Sequence, residues 1–179
     1  MSMRQKWSDL VRRLTPPGYD ASVELGWLAV GGMIAFITSL GGFGSRLNSA
    51  LSTLRMADRL GNLRYPTMMM PYFAEILGGA LWSFVILAVI ALLLILVHAG
   101  YWYQGSRSIY LMRRLPQRGE LLRRTAGLPM LIAAAALATA LALLLVYFAI
   151  YCLVTPDAKQ PDGQWAELMR VWFERSMTI

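Results

Sequence analysis

Three long apolar runs dominate the chain, at 22–43, 76–103 and 126–154, and polar or charged residues return between them. Each run exceeds the roughly 20 residues that a helix needs to cross ~30 Å of hydrocarbon. None carries Lys, Arg or Asp in its central part. The pattern predicts an all-α integral membrane protein, a single membrane domain over 1–179 with three transmembrane helices. Period-3.6 spacing marks amphipathic helices at both termini. Within 1–18, Trp7, Leu10, Val11 and Leu14 lie opposite Arg4, Lys6, Asp9, Arg12 and Arg13, and Thr15-Pro16-Pro17-Gly18 stops the helix. Within the tail 155–179, Trp165, Leu168, Met169, Trp172, Phe173 and Met177 gather on one side, away from Glu167, Arg170, Glu174 and Arg175. Both are expected to lie in a membrane interface.

The three runs differ in texture. The first holds Gly26, Gly31, Gly32, Gly41 and Gly42, small residues that let helix backbones approach closely in lipid. The second has Trp82 near one end and Tyr101, Trp102 and Tyr103 at the other, the aromatic marks of the two interfaces. The third is rich in alanine, from Ala133 to Ala136 and at Ala138, Ala140 and Ala142, a face suited to tight packing on a neighbour. Glu24 and His98 stand near run ends, where they are expected to reach interfacial water. Between the first two runs, 44–75 reads as a loop. Leu47, Leu51, Leu54 and Leu60 suggest a short surface helix ended by Gly61-Asn62, and the proline-bracketed stretch from Tyr65 to Phe73 either lies in the interface or caps a cavity.

Composition agrees with lipid as the solvent: 57% of the 179 residues are apolar and 15% charged, against about a quarter charged in soluble domains. The distribution of charge sets an orientation. Ten of the seventeen basic residues fall before the first run (Arg4, Lys6, Arg12, Arg13) or between the second and third (Arg107, Arg113, Arg114, Arg118, Arg123, Arg124). Three spans put those two segments on one side, and the positive-inside rule makes it the cytoplasm. The expectation is a multi-pass protein of the inner or plasma membrane, with the N-terminus cytoplasmic and the C-terminus external. The net charge of +7 is then accounted for by topology and anionic headgroups, and no nucleic-acid partner is expected. One cysteine and one histidine supply neither an internal disulfide nor a metal cluster.

The segment 104–125 differs from an ordinary hairpin, which needs only a few polar residues. Ser106 or Ser108 can cap a helix bearing Ile109, Tyr110, Leu111, Met112 and Leu115, with Arg113 and Arg114 among them; Pro116 ends it, Gln117-Arg118-Gly119 turns the chain, and Glu120-Leu121-Leu122-Arg123-Arg124 leads into the third run. An apolar and basic knob of this kind presents surface that a protein partner would cover. The order Gly105-Ser106, Ile109 to Leu115, Pro116, Gln117-Arg118, Glu120-Leu121, Arg123-Arg124 resembles the coupling-helix region of ABC exporter permeases of the type-2 class, in the same place between second and third spans.

That resemblance implies a transmembrane subunit of an ATP-driven ABC exporter, coupling a separate ABC-type ATPase to movement of an amphiphilic substrate such as a peptide, lipid or drug. It implies ATPase-coupling roles for Ile109, Tyr110, Leu111, Met112, Arg113, Arg114, Leu115, Pro116, Arg118 and Glu120. Leu111, Met112, Leu115 and Pro116 would fill a groove, and Arg113, Arg114 and Arg118 would meet carboxylates at its rim. No cofactor is expected on this chain, since it carries no Gly-rich phosphate-binding motif; ATP and Mg would sit on the partner. Permeases of that class have six spans where three are read here, which implies a half-length subunit paired with a second permease chain or a copy of itself. The alternative is a non-transporting membrane scaffold or regulatory subunit that docks a cytoplasmic partner on the same knob. A membrane enzyme would need ionisable groups converging in a cleft. Glu24, Glu75 and His98 are the candidates, expected on different faces, and no catalytic or metal-binding residue is assigned.

Overall fold

The computed structural model describes residues 20–59, 69–103 and 118–177, together with Gln5, Asp9, Val11 and residues 13–15. Every regular element among them is helical: α1 (Ser22–Arg59), α2 (Phe73–Leu77), α3 (Trp82–Tyr103), α4 (Arg118–Val154), a 3₁₀ turn (Asp157–Lys159) and α5 (Gln164–Met177). Ahead of them, Gln5, Asp9, Val11, Arg13 and Leu14 are helical. Among the described residues, three helices are long and apolar enough to cross a membrane, over Ser22–Arg59, Trp82–Gly100 and Leu122–Val154. Their outward faces carry Trp27, Ile37, Leu93, Leu96 and Leu141, all exposed. Apolar side chains at that density suit lipid and not water, so the chain is a multi-pass membrane protein.

Two boundaries depart from the pattern reading. The helix that begins at Ser22 does not end near Phe43 but continues to Arg59, so the predicted surface helix is its far end. No proline interrupts 44–59, and Leu47 and Leu54, two turns apart, are both buried. Along the same stretch, the Ser45, Ser49 and Thr53 hydroxyls donate to the carbonyls of Gly42, Ser45 and Ser49 at 2.9–3.1 Å, so these polar side chains are satisfied within the helix itself.

The second departure is a break in the run 76–103. α2 ends at Leu77, and Gly78 turns the chain at φ 49° before α3 begins at Trp82. Only glycine takes that backbone conformation freely. The Arg46 guanidinium also occupies the place a β-carbon on Gly78 would need.

The chain forms two compact units, Met1–Ala35 with Phe84–Ala140, and Phe36–Ser83 with Leu141–Ile179. In the first, a seam of small residues joins α3 to α4: Ala88 and Ala91 meet Ala133 and Ala136, flanked by Leu28, Leu87 and Ile132. This is the tight packing that the alanine run predicts. α1 approaches α3 at Gly31, where a β-carbon would come 3.1 Å from Leu87 Cδ1. Gly31→Val is therefore expected to cost about 1–3 kcal/mol through overpacking, read as a lower thermal midpoint in detergent. An unchanged midpoint would mean that α1 does not approach α3 this closely.

The second unit is built on aromatic rings. Phe43 stacks on Tyr147 at 4.2 Å between centroids, and Phe73 sits edge-on to Phe43 and Phe148 and beside Tyr151. Phe73 and Tyr151 are wholly buried, and Tyr147 is nearly so. Hydrogen bonds tie the rings in place: Ser39 and Tyr147 share one at 2.9 Å, and Tyr151 donates to the Pro71 carbonyl at 2.9 Å. Of the proline-bracketed stretch, Met70 and Phe73 pack inward while Met69 is exposed. Met70 is buried and its N–H donates to the Lys159 carbonyl at 3.0 Å. Lys159 also pairs with Asp58 of α1. α5 packs on α2 through Gln164 and Leu168, one turn apart and both buried, while Trp165 covers Phe148. On its exposed side, two hydrogen bonds from Arg170 hold the Glu167 carboxyl below the usual glutamate range.

Candidate functional site

The strongest polar constellation lies in the first unit and joins three helices. It starts from Pro129, inside α4 and almost fully buried. Proline has no N–H, so the carbonyl four residues earlier loses its helical donor. That carbonyl belongs to Thr125, and a buried one needs a replacement. His98, near the end of α3, supplies it: the ring is wholly buried and Nδ1 lies 3.0 Å from Thr125 O. The other ring nitrogen, Nε2, lies 3.1 Å from Oε2 of Glu24, in the first turn of α1, whose side chain is 15% exposed.

A carbonyl oxygen can only accept, so Nδ1 is the nitrogen that carries a hydrogen in the neutral ring. The chain's one histidine thus links α1, α3 and α4. His98 is wholly buried and does not reach interfacial water as expected, Glu24 is partly exposed, and the two side chains meet and do not lie on separate faces. Just before α1, the Ser22 side chain and then its N–H, at 2.9 Å, hydrogen-bond to the Asp20 carboxylate and hold it below the usual aspartate range.

Glu75, the third ionisable candidate, is in the second unit. It borders an open cleft of about 380 Å³ between α1 and α2, whose other polar walls are Ser45, Arg46, Ser49 and Thr53. The three hydroxyls already donate to their own helix, so they present lone pairs to the cleft beside one basic and one acidic side chain. No group of three or more metal-ligating side chains occurs among the described residues.

Of the residues assigned to ATPase coupling, Ile109, Tyr110, Leu111, Met112, Arg113, Arg114, Leu115 and Pro116 lie outside the described residues. Arg118 and Glu120 belong to the first turn of α4, with their side chains outside the described set. Sequence reasoning missed His98 and Glu24 as a pair. The available signal was a proline at a buried helix position, because the carbonyl it strands must find a donor elsewhere. Comparison with known families, curated proteins and solved structures finds no match to this chain.

Proposed function

We propose that this chain is the transmembrane subunit of an ATP-driven exporter, which receives a separate ATPase on the segment 104–125 at the cytoplasmic face and moves an amphiphilic substrate. The observation that carries the reading is the continuity of α4. It begins at Arg118, inside that segment, and runs unbroken for 37 residues to Val154, or ~55 Å at 1.5 Å per residue. A force applied to the apolar and basic knob would enter the helix of the third span directly at its first turn, which is what mechanical coupling requires. The substrate class follows from the lipid-facing apolar walls of the spans, with no row of charged side chains along them among the described residues.

The test is affinity purification of the tagged chain from its native membrane, with and without Leu115→Asp combined with Arg114→Asp. An ATP-binding-cassette ATPase should accompany the native chain and be lost from the double variant, at least tenfold by quantitative mass spectrometry, with membrane insertion unchanged. An ATPase that stays with the double variant removes the coupling role. Another cytoplasmic protein in its place supports a docking scaffold.

A further inference from the structure

We propose that the cleft between α1 and α2 binds a phosphoethanolamine-type zwitterion, with its primary ammonium at Glu75 and its phosphate at Arg46. The site belongs to the second unit alone and is independent of the transport reading. Its walls follow from helix register. Ser45, Ser49 and Thr53 recur every fourth residue and form one stripe along α1, with Arg46 beside them, while Glu75 comes from α2. Each of the three hydroxyls spends its one hydrogen on a carbonyl of its own helix. Together with the Glu75 carboxylate they offer the cleft acceptors, and the Arg46 guanidinium is the donor. That guanidinium lies against the turn at Gly78, in the space that a β-carbon there would need.

Arg46 and Glu75 border one cleft without pairing with each other, and among the described residues neither joins an ion pair. A ligand that carries both charges satisfies both. An anion alone would meet Arg46 and be repelled by Glu75, and a cation alone would do the reverse. A wall of acceptors facing one donor selects a primary ammonium, whose hydrogens it can take, over a trimethylammonium, which has none. Arg46 suits phosphate, which a guanidinium binds through two parallel hydrogen bonds. Position agrees with the chemistry. The apolar run 22–43 covers ~33 Å as a helix, close to the thickness of the hydrocarbon, so the stripe from Ser45 begins where headgroups do. The volume of about 380 Å³ is that of a small-molecule cleft.

An ethanolamine phospholipid and its free headgroup share this chemistry, and the test separates them. The full chain in detergent is titrated with phosphatidylethanolamine, phosphatidylcholine and phosphatidylglycerol of matched acyl chains, and with soluble O-phosphoethanolamine, with binding read by native mass spectrometry. The ethanolamine lipid should be retained about fivefold more than either other lipid, because only it fills both ends of the cleft. Arg46→Gln and Glu75→Gln should each lower its retention about tenfold, the loss of one hydrogen bond to a charged group. Both side chains are exposed, so both variants should keep the native thermal midpoint. O-phosphoethanolamine held as tightly as the lipid assigns the site to a free zwitterion; retention of the lipid without it assigns the site to a membrane headgroup. Equal retention of ethanolamine and choline lipids, which needs no variant to measure, would overturn the proposal. Retention that survives both charge variants, or none of either ligand, would overturn it as well.

Discussion

Phe73→Ala should lower the stability of the second unit by about 3–5 kcal/mol, the largest effect of any single truncation in it. The ring has no exposed surface and meets Phe148 at 5.2 Å, Tyr151 at 5.7 Å and Phe43 at 6.5 Å between centroids. Its partners come from α1 and α4, and it stands at the first residue of the five-residue α2. So short a helix has no stability of its own and forms only because this side chain is packed. The cavity left behind would be walled by rings, which collapse poorly. In detergent the thermal midpoint should drop by about 10 °C, at roughly 2–4 °C per kcal/mol for a chain this long. Phe73→Leu, which keeps much of the volume, should lose less than half as much. Equal losses for the two variants, or none for alanine, would show that the aromatic cluster is not the core of this unit.

The second large effect should come from Gln164→Leu, at about 2–4 kcal/mol, because it strands buried polar groups that a similar apolar volume cannot satisfy. Gln164 is buried at the start of α5. Its Oε1 accepts the Phe73 N–H at 2.8 Å, and its Nε2 donates to the Pro161 carbonyl at 2.8 Å and to the Tyr151 hydroxyl at 3.3 Å. Of these, the Phe73 N–H matters most. It is one of the donors at the start of α2 that no helical carbonyl can reach, and no side chain of the preceding residue caps it. Gln164→Glu keeps the acceptor but removes both donors and buries a charge, so it should not rescue. Hydrogen exchange at the Phe73 amide isolates the contact: it should speed up at least about tenfold in Gln164→Leu. Unchanged exchange there would mean that Gln164 fills space and nothing more.

Both residues are informative about what can be read from a sequence. Phe73 belongs to an apolar stretch and its burial is unsurprising; its place at the centre is not, since that depends on Phe43, Phe148 and Tyr151 arriving from other helices. Gln164 was invisible. A polar residue leading an amphipathic tail reads as solvated, and only the unsatisfied N–H of a helix start 91 residues away gives it a reason to be buried. The turn at Gly78 was half legible. Two adjacent glycines invite a break, but inside an apolar run they also suit close helix packing; in the structure Gly78 turns at φ 49° with the Arg46 guanidinium against it.

The sequence by itself determined that this is a helical membrane protein with three helices long and apolar enough to span, and that the segment between the second and third is basic and apolar together. These properties are local: hydropathy over twenty residues decides whether a helix can enter lipid, whatever its neighbours. The tertiary structure decided the rest. It made one helix of the first span and its extension, broke the second run at a glycine, and brought Glu24 to a histidine 74 residues away. Such contacts follow from which buried polar group has lost its local partner, and the cost of leaving that group unpaired in an apolar surrounding selects the side chain that reaches it.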